Sequence, residues 1–187
     1  MLWLTVVEWL SRLILVILIG LSIWSISIII ERRRFFKSLK LPSPDFKKSI
    51  RSKNLENENH FFSGLITELR SVKEPELMEK VFDVYAAETR KELEKGLPVL
   101  ATLGSTSPFI GLLGTILGII VSFGELSRGA GSTNSVMFSL AEALILTAFG
   151  LVVAIPAVIG FNYFNRKVKL VLSEAESTKD LFIAYKD

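Results

Sequence analysis

The sequence predicts an all-α integral membrane protein with three transmembrane helices and a helical cytoplasmic segment. Three observations lead there. Residues 97 to 164 hold two long apolar runs, Leu97 to Gly124 and Met137 to Phe164; the first has no Asp, Glu, Lys or Arg, and the second has only Glu142. A further uncharged run, Leu13 to Ile30, ends at a dense basic cluster. The 187-residue chain is 50% hydrophobic, with a mean hydropathy of +0.45, too apolar for an ordinary soluble domain. A spanning helix needs about 20 mainly apolar residues to cross roughly 30 Å of hydrocarbon, a length that all three runs reach.

Residues 1 to 12 carry Trp3 and Trp9, with Glu8 and Arg12 four apart, a pattern suited to a short interfacial helix lying on the membrane surface. The first span follows, completing a segment of residues 1 to 30. A cleavable signal would have its basic residues ahead of the apolar run, whereas here Glu31-Arg32-Arg33-Arg34 comes after it, so an uncleaved span with its N-terminus outside is expected. Its Ser22, Ser25 and Ser27 could line an interface or bond back to their own helix.

Residues 31 to 97 form the cytoplasmic basic and helical segment. Between 32 and 53, Arg32, Arg33, Arg34, Lys37, Lys40, Lys47, Lys48, Arg51 and Lys53 face only Asp45. Directly after an apolar span such a cluster sets topology, and no nucleic-acid partner is expected. Pro42 and Pro44 break any early helix, and the lone His60 beside Phe61 and Phe62 reads as a surface or packing residue. From Pro75 to Lys95 a helix is expected: Pro75 suits a first turn, Glu74, Glu76 and Glu79 its positive end, and Arg90, Lys91 and Lys95 its negative end. Leu77, Val81, Val84 and Tyr85 give it an apolar stripe. At Gly96 and Pro98 either a kink precedes the second span or one helix runs through both.

The second span covers residues 98 to 124, an outer loop 125 to 136, and the third span 137 to 164. The loop has no basic excess, whereas Arg166, Lys167 and Lys169 follow the third span, so the loop faces outside and the C-terminal helix, 165 to 187, faces the cytoplasm. In that last segment Val168, Val171, Leu172 and Ala175 form an amphipathic side.

Small residues mark one face of each later span. Ala101, Gly104, Pro108, Gly111, Thr115, Gly118 and Ser122 recur at spacings of three and four, as do Ser139, Ala143, Thr147, Gly150, Ala154 and Ala157, and such stripes let helix backbones approach or line a pore. Gly104, Gly111, Gly114, Gly118, Gly150 and Ala154 are the expected packing positions, and the stripe is expected to mediate assembly of copies. Taking Gly124 and Met137 as one outer boundary, Thr115 lies about 13.5 Å and Thr147 about 15 Å below it, and Glu142 about 7.5 Å below it, at 1.5 Å per residue. The two threonines share a depth. A charged carboxylate there costs at least about 2.5 to 3.5 kcal/mol, so Glu142 is either a proton-binding or gating group, its neutral form favoured by burial, or a structural acid bonded across a helix interface. Glu142 and Thr147 stand about 140° apart around the helix and cannot point the same way.

Cysteine is absent and His60 stands alone, which excludes disulfides, thiolate metal sites and histidine clusters; no metal or cofactor is expected. No nucleophile and base pair is visible, so an enzyme is not expected. A small-solute transporter is a weak alternative, with no inverted repeat or charged substrate site. A scaffold that assembles partners without conducting remains open.

The strings GLLGTILGI at 111 to 119 and AEALILTAFGLVVAIPAV at 141 to 158 resemble the last two membrane helices of the MotA/TolQ/ExbB proton-channel family. One span before the cytoplasmic segment, rather than two, is similar to its ExbB/TolQ branch. The resemblance implies that Thr115 and Thr147 contribute to a polar ring lining a pore, with Glu142 beside the path. It implies a homo-oligomer, a pentamer, embedded in the bacterial inner membrane. It further implies an ExbD/TolR-like single-span partner, whose membrane aspartate takes and releases the proton, and a TonB/TolA-like energy transducer. One carboxylate cannot relay a proton across the bilayer alone, which agrees with a group supplied from elsewhere.

The topology is testable because the chain has no cysteine of its own. A cysteine placed at Ser132 is expected to react with a membrane-impermeant maleimide added from outside, and reaction only from the cytoplasmic side would contradict the assignment.

Overall fold

The computed structural model describes residues 2–41, 61–127, 129 and 133–185. Their regular structure is helical throughout: α1, Leu2–Ser38; α2, Ser63–Ser71; α3, Pro75–Leu93; α4, Leu97–Leu126; and α5, Thr133–Ala184. The chain condenses into two compact units, one of Met1–Glu31 with Gly96–Asn162 and one of Arg32–Lys95 with Tyr163–Asp187. Helices α1 and α5 contribute to both. Three helices are long and apolar enough to cross a membrane, within Thr5–Ser38, Leu97–Leu126 and Val136–Ala184.

Two boundaries differ from the sequence reading. The described part of residues 1 to 12 is no separate surface helix but the opening turns of α1, because no glycine or proline interrupts the chain before Gly20. The expected C-terminal helix is likewise the continuation of α5, since neither breaker occurs after Gly160. At Gly96 the chain does break. Its φ of 78° is left-handed, a conformation open to glycine, and α4 restarts at Leu97 with Pro98 in its first turn. Helix α2 was not anticipated; Leu65, Ile66 and Leu69 are its buried residues. Pro42, Pro44 and His60 lie outside the described residues.

In the first unit Ile14, Leu18 and Val153 form a buried cluster joined by Leu21, Ile110 and Leu117. Bulky residues on the other faces of these helices stay exposed, Phe109 at 70% and Phe138 at 73%, as expected of surfaces that meet lipid rather than water. The glycine stripe seals α4 to α5 within this one chain, rather than being left free for a second copy. A Cβ on Gly111 would fall 2.7 Å from the Leu146 carbonyl oxygen and 3.1 Å from the Gly150 Cα. One on Gly118 would fall 2.5 Å from the Ala143 Cβ, and one on Gly104 2.5 Å from the Val158 Cγ2. Gly114 is crowded by Leu146 at 2.8 Å and by Ile14 of α1 at 3.4 Å, and Ala154 is buried.

In the second unit α2 packs on α3, and Phe62, Leu65, Leu69, Met78 and Leu93 are fully buried, as is Val168 of α5. The Tyr85 hydroxyl donates to the Phe61 carbonyl at 3.2 Å, and burial pushes that phenol above its ordinary value of 10.0, which keeps it a neutral donor. Arg32 is 4% exposed. Its guanidinium donates to the Glu92 carbonyl at 3.2 Å, in the last turn of α3, and lies 4.8 Å from the Phe35 ring centroid. One member of the basic cluster thus caps a helix end instead of facing solvent.

Overpacking a tight backbone contact costs about 1 to 3 kcal/mol, so Gly111→Ala is expected to destabilise the protein by that order. Gly20→Ala, with nothing within 4 Å of the added carbon, is expected to leave thermal unfolding in detergent unchanged or slightly improved.

Candidate functional site

The site begins with the closeness of α4 and α5. Because Gly111 and Gly150 carry no side chain, a Cβ built on Gly111 would lie 3.1 Å from the Thr147 Cα, and hydroxyls one turn away come within reach of each other. Thr115, 6% exposed, donates its hydroxyl to the Leu112 carbonyl at 2.7 Å. Its Oγ1 stands 3.3 Å from the Thr147 Oγ1, and Thr147 is half-buried. Two hydroxyls on different helices therefore touch in the middle of the seam. On the same face of α4, Ser122 donates to the Gly118 carbonyl at 2.9 Å. Ser107 is fully buried with no hydrogen-bond partner for its hydroxyl.

Glu142 does not join the threonines. It is exposed in the N-terminal part of α5 and lines a cavity of about 370 Å³ together with Glu8 and Arg12 of α1, Gly118 and Glu125 of α4, and Ser139. Arg12 and Glu8 form an i,i+4 ion pair at 2.8 Å. Among the described residues no group of three or more acidic or histidine side chains is gathered closely enough to hold a metal ion. The cavity is thus of mixed character: Arg12, Glu8, Glu125 and Glu142 share its lining with Leu15, Ile145, Leu146 and Phe149.

Sequence reasoning assigned Glu8 and Arg12 to the membrane surface and Glu125 to the loop. In the structure Glu8 and Arg12 stand on the opening turns of α1, and Glu125 stands on the last turn of α4 rather than in the loop. Ile14 lies 3.4 Å from the Cβ position of Gly114, next to Thr115, and Arg12 is only two residues, about 3 Å of helical rise, further out.

Thr115→Val and Thr147→Val conserve volume and remove one hydroxyl each. Each is expected to change stability by about 1 kcal/mol or less, because the other partner is a backbone carbonyl or a second hydroxyl. The double variant is expected to cost less than the sum of the two, since either single change already breaks the contact. Thermal unfolding of the four proteins measures this, and strict additivity would contradict a direct hydroxyl contact.

Comparison with known proteins places the chain in a family. The model of the MotA/TolQ/ExbB proton channel family matches residues 52–177, well over half of the chain. Over 94 residues, 49% of this chain and 62% of the relative, the sequence is 46% identical to the biopolymer transport protein ExbB of Aquifex aeolicus. Over 95 residues it is 45% identical to the Tol-Pal system protein TolQ of Pseudomonas aeruginosa, covering 50% of this chain and 41% of the relative. A biopolymer transport protein ExbB of Xanthomonas campestris pv. campestris is 36% identical over 110 residues, 57% of this chain and 43% of the relative. The matched segments therefore span between 41% and 62% of these relatives' own length. On the matched model and these relatives, the chain belongs to the MotA/TolQ/ExbB proton channel family, within its ExbB/TolQ branch.

Proposed function

We propose that the chain is a bacterial inner-membrane subunit of a motor driven by the proton motive force. Five copies would surround an ExbD/TolR-like single-span partner, and proton passage along their interface would do mechanical work on a TonB/TolA-like protein. The observation that carries this reading is the 3.3 Å contact between Thr115 and Thr147, set in a seam where Gly104, Gly111, Gly118 and Gly150 bring the two helices close. Hydroxyls do not titrate near neutral pH, so the pair cannot store a proton. It can receive a hydrogen bond from an acid on a partner helix, and that acid would take and release the proton. Glu142, lining the outer cavity, would govern access. Each charge moved through 100 mV yields about 2.3 kcal/mol, so several protons per cycle supply a useful amount of work. Family membership and the names of the relatives support the reading.

Proton flux in vesicles tests it. The subunit alone is expected to be nearly tight, and addition of the partner is expected to open a flux that Thr115→Val or Thr147→Val lowers about tenfold, the effect of roughly 1.4 kcal/mol on the limiting step. Brisk flux without a partner, abolished by Glu142→Gln, would make Glu142 the carrier. No flux with the partner present would favour a non-conducting scaffold.

A further inference from the structure

In the second unit Phe36 of α1 and Phe164 of α5 stack, with ring centroids 5.6 Å apart and planes 16° from parallel, and this contact fixes which sides the two helices turn to each other. Each ring has a committed neighbour on one side. Arg32, four residues before Phe36, is buried and bonded to the Glu92 carbonyl of α3, and Val168, four residues after Phe164, is buried as well. Four residues carry a helix about 40° past a full turn, whereas three stop about 60° short of one. Arg33, three before Phe36, and Lys167, three after Phe164, therefore lie across the rings from Arg32 and Val168, on the flank turned away from the buried side. Lys37 and Tyr163 share that flank, and all four are exposed.

These cations have no acidic partner among the described residues. Lys167 places its Nζ 5.8 Å from the Tyr163 ring centroid, which holds it beside the stack, and the neighbouring acid, Glu31, is two residues and about 200° around α1 from Arg33. The level along the helices points to the ligand. Both α1 and α5 leave their apolar runs here, at Ile30 and Phe164, and an exposed tyrosine beside cations at the end of a span is the pattern of the lipid headgroup layer. Basic pockets between helices at that level bind anionic lipid headgroups. An arginine fork takes two oxygens of one phosphate and a lysine ammonium adds a point charge.

We propose that the exposed flank of the contact between Phe36 and Phe164 is a binding site for the headgroup phosphate of one anionic phospholipid, held by Arg33 and Lys37 from α1 and by Lys167 from α5, with the Tyr163 hydroxyl as a further donor. The bound lipid bridges the two helices where their spans end and adds an ionic tie to the aromatic stack. A zwitterionic lipid is a poorer ligand, because its own cation competes with the three side chains for the phosphate. The basic cluster is thereby divided by the fold: Arg32 caps α3, whereas Arg33 and Lys37 hold lipid. The site needs neither a partner protein nor proton flow.

Lipid binding to the purified full chain in detergent tests this, read by native mass spectrometry during titration with a phosphatidylglycerol and with a phosphatidylcholine of the same acyl chains. The anionic lipid is expected to bind more than about tenfold more tightly. A basic side chain near an anionic lipid is worth about 1 kcal/mol, so Arg33→Gln, Lys37→Gln and Lys167→Gln are each expected to weaken phosphatidylglycerol about fivefold, and all three together about a hundredfold, with phosphatidylcholine little changed. Lys167→Arg, which keeps the charge, is expected to keep the parent affinity. A control that removes the same charge elsewhere in the unit, Lys73→Gln with Lys91→Gln and Lys95→Gln, is expected to bind as the parent does. Equal affinity for the two lipids, a triple variant that keeps the preference, or an equal loss in the control would overturn the proposal. If the triple variant does not accumulate, the single variants decide, and an unchanged preference in all three would overturn it equally. Inorganic phosphate is compared with sodium chloride at the same ionic strength: equal effects support a lipid site, whereas stronger displacement by phosphate would reveal a site for a free anion and overturn the assignment to lipid.

Discussion

Close approach of two backbones governs the membrane part of this protein. Where Gly111 faces Gly150, a single added carbon would sit 3.1 Å from the opposite Cα, and no larger residue fits without moving a helix. In lipid this proximity is worth more than it would be in water, because there is no hydrophobic gain from simply bringing apolar helices together and dispersion between close surfaces must supply the attraction. The hydroxyl contact in the seam follows from it. Threonine side chains are short, and only helices this close allow Thr115 and Thr147 to touch.

The sequence made a large part of this legible. Three spans, the shared depth of the two threonines and the divergence of Glu142 from Thr147 all follow from counting residues along a helix of fixed rise and turn, which leaves little freedom in a membrane. What the stripe packs against was not legible. A face of Gly104, Gly111 and Gly118 says that a neighbour comes near, but the same pattern serves a helix of the same chain or of another copy, and only coordinates identify the neighbour as α5. Glu8 and Arg12 escaped for a different reason. Their place beside Glu125 and Glu142 around one cavity depends on how α1 packs on α4, as in the contact between Ile14 and Gly114, which periodicity within α1 cannot reveal.

Arg32 illustrates the same limit in the second unit. As one of a run of basic residues it carries information about topology, and that reading needs no partner. Its burial and its bond to the Glu92 carbonyl add a second role that its neighbours Arg33 and Arg34, both exposed, do not share. Composition treats the three arginines as equal, whereas the fold separates one of them from the other two.

Counting hydrogens at the threonine pair gives it a polarity. Each hydroxyl has one hydrogen, and that of Thr115 is already committed to the Leu112 carbonyl. With that hydrogen on the Leu112 carbonyl, a hydrogen bond at the 3.3 Å contact uses the hydrogen of Thr147, and in that arrangement both hydrogens are occupied and lone pairs remain. Any acidic group brought against the pair meets acceptors alone. A protonated carboxyl, which has a hydrogen to give, is welcomed, whereas an ionised one gains nothing unless a hydroxyl first abandons a bond worth about 1 kcal/mol. Were an acid to dock there, as in the proposed mechanism, the pair would favour its protonated form over its ionised one, a one-way preference built from two uncharged side chains.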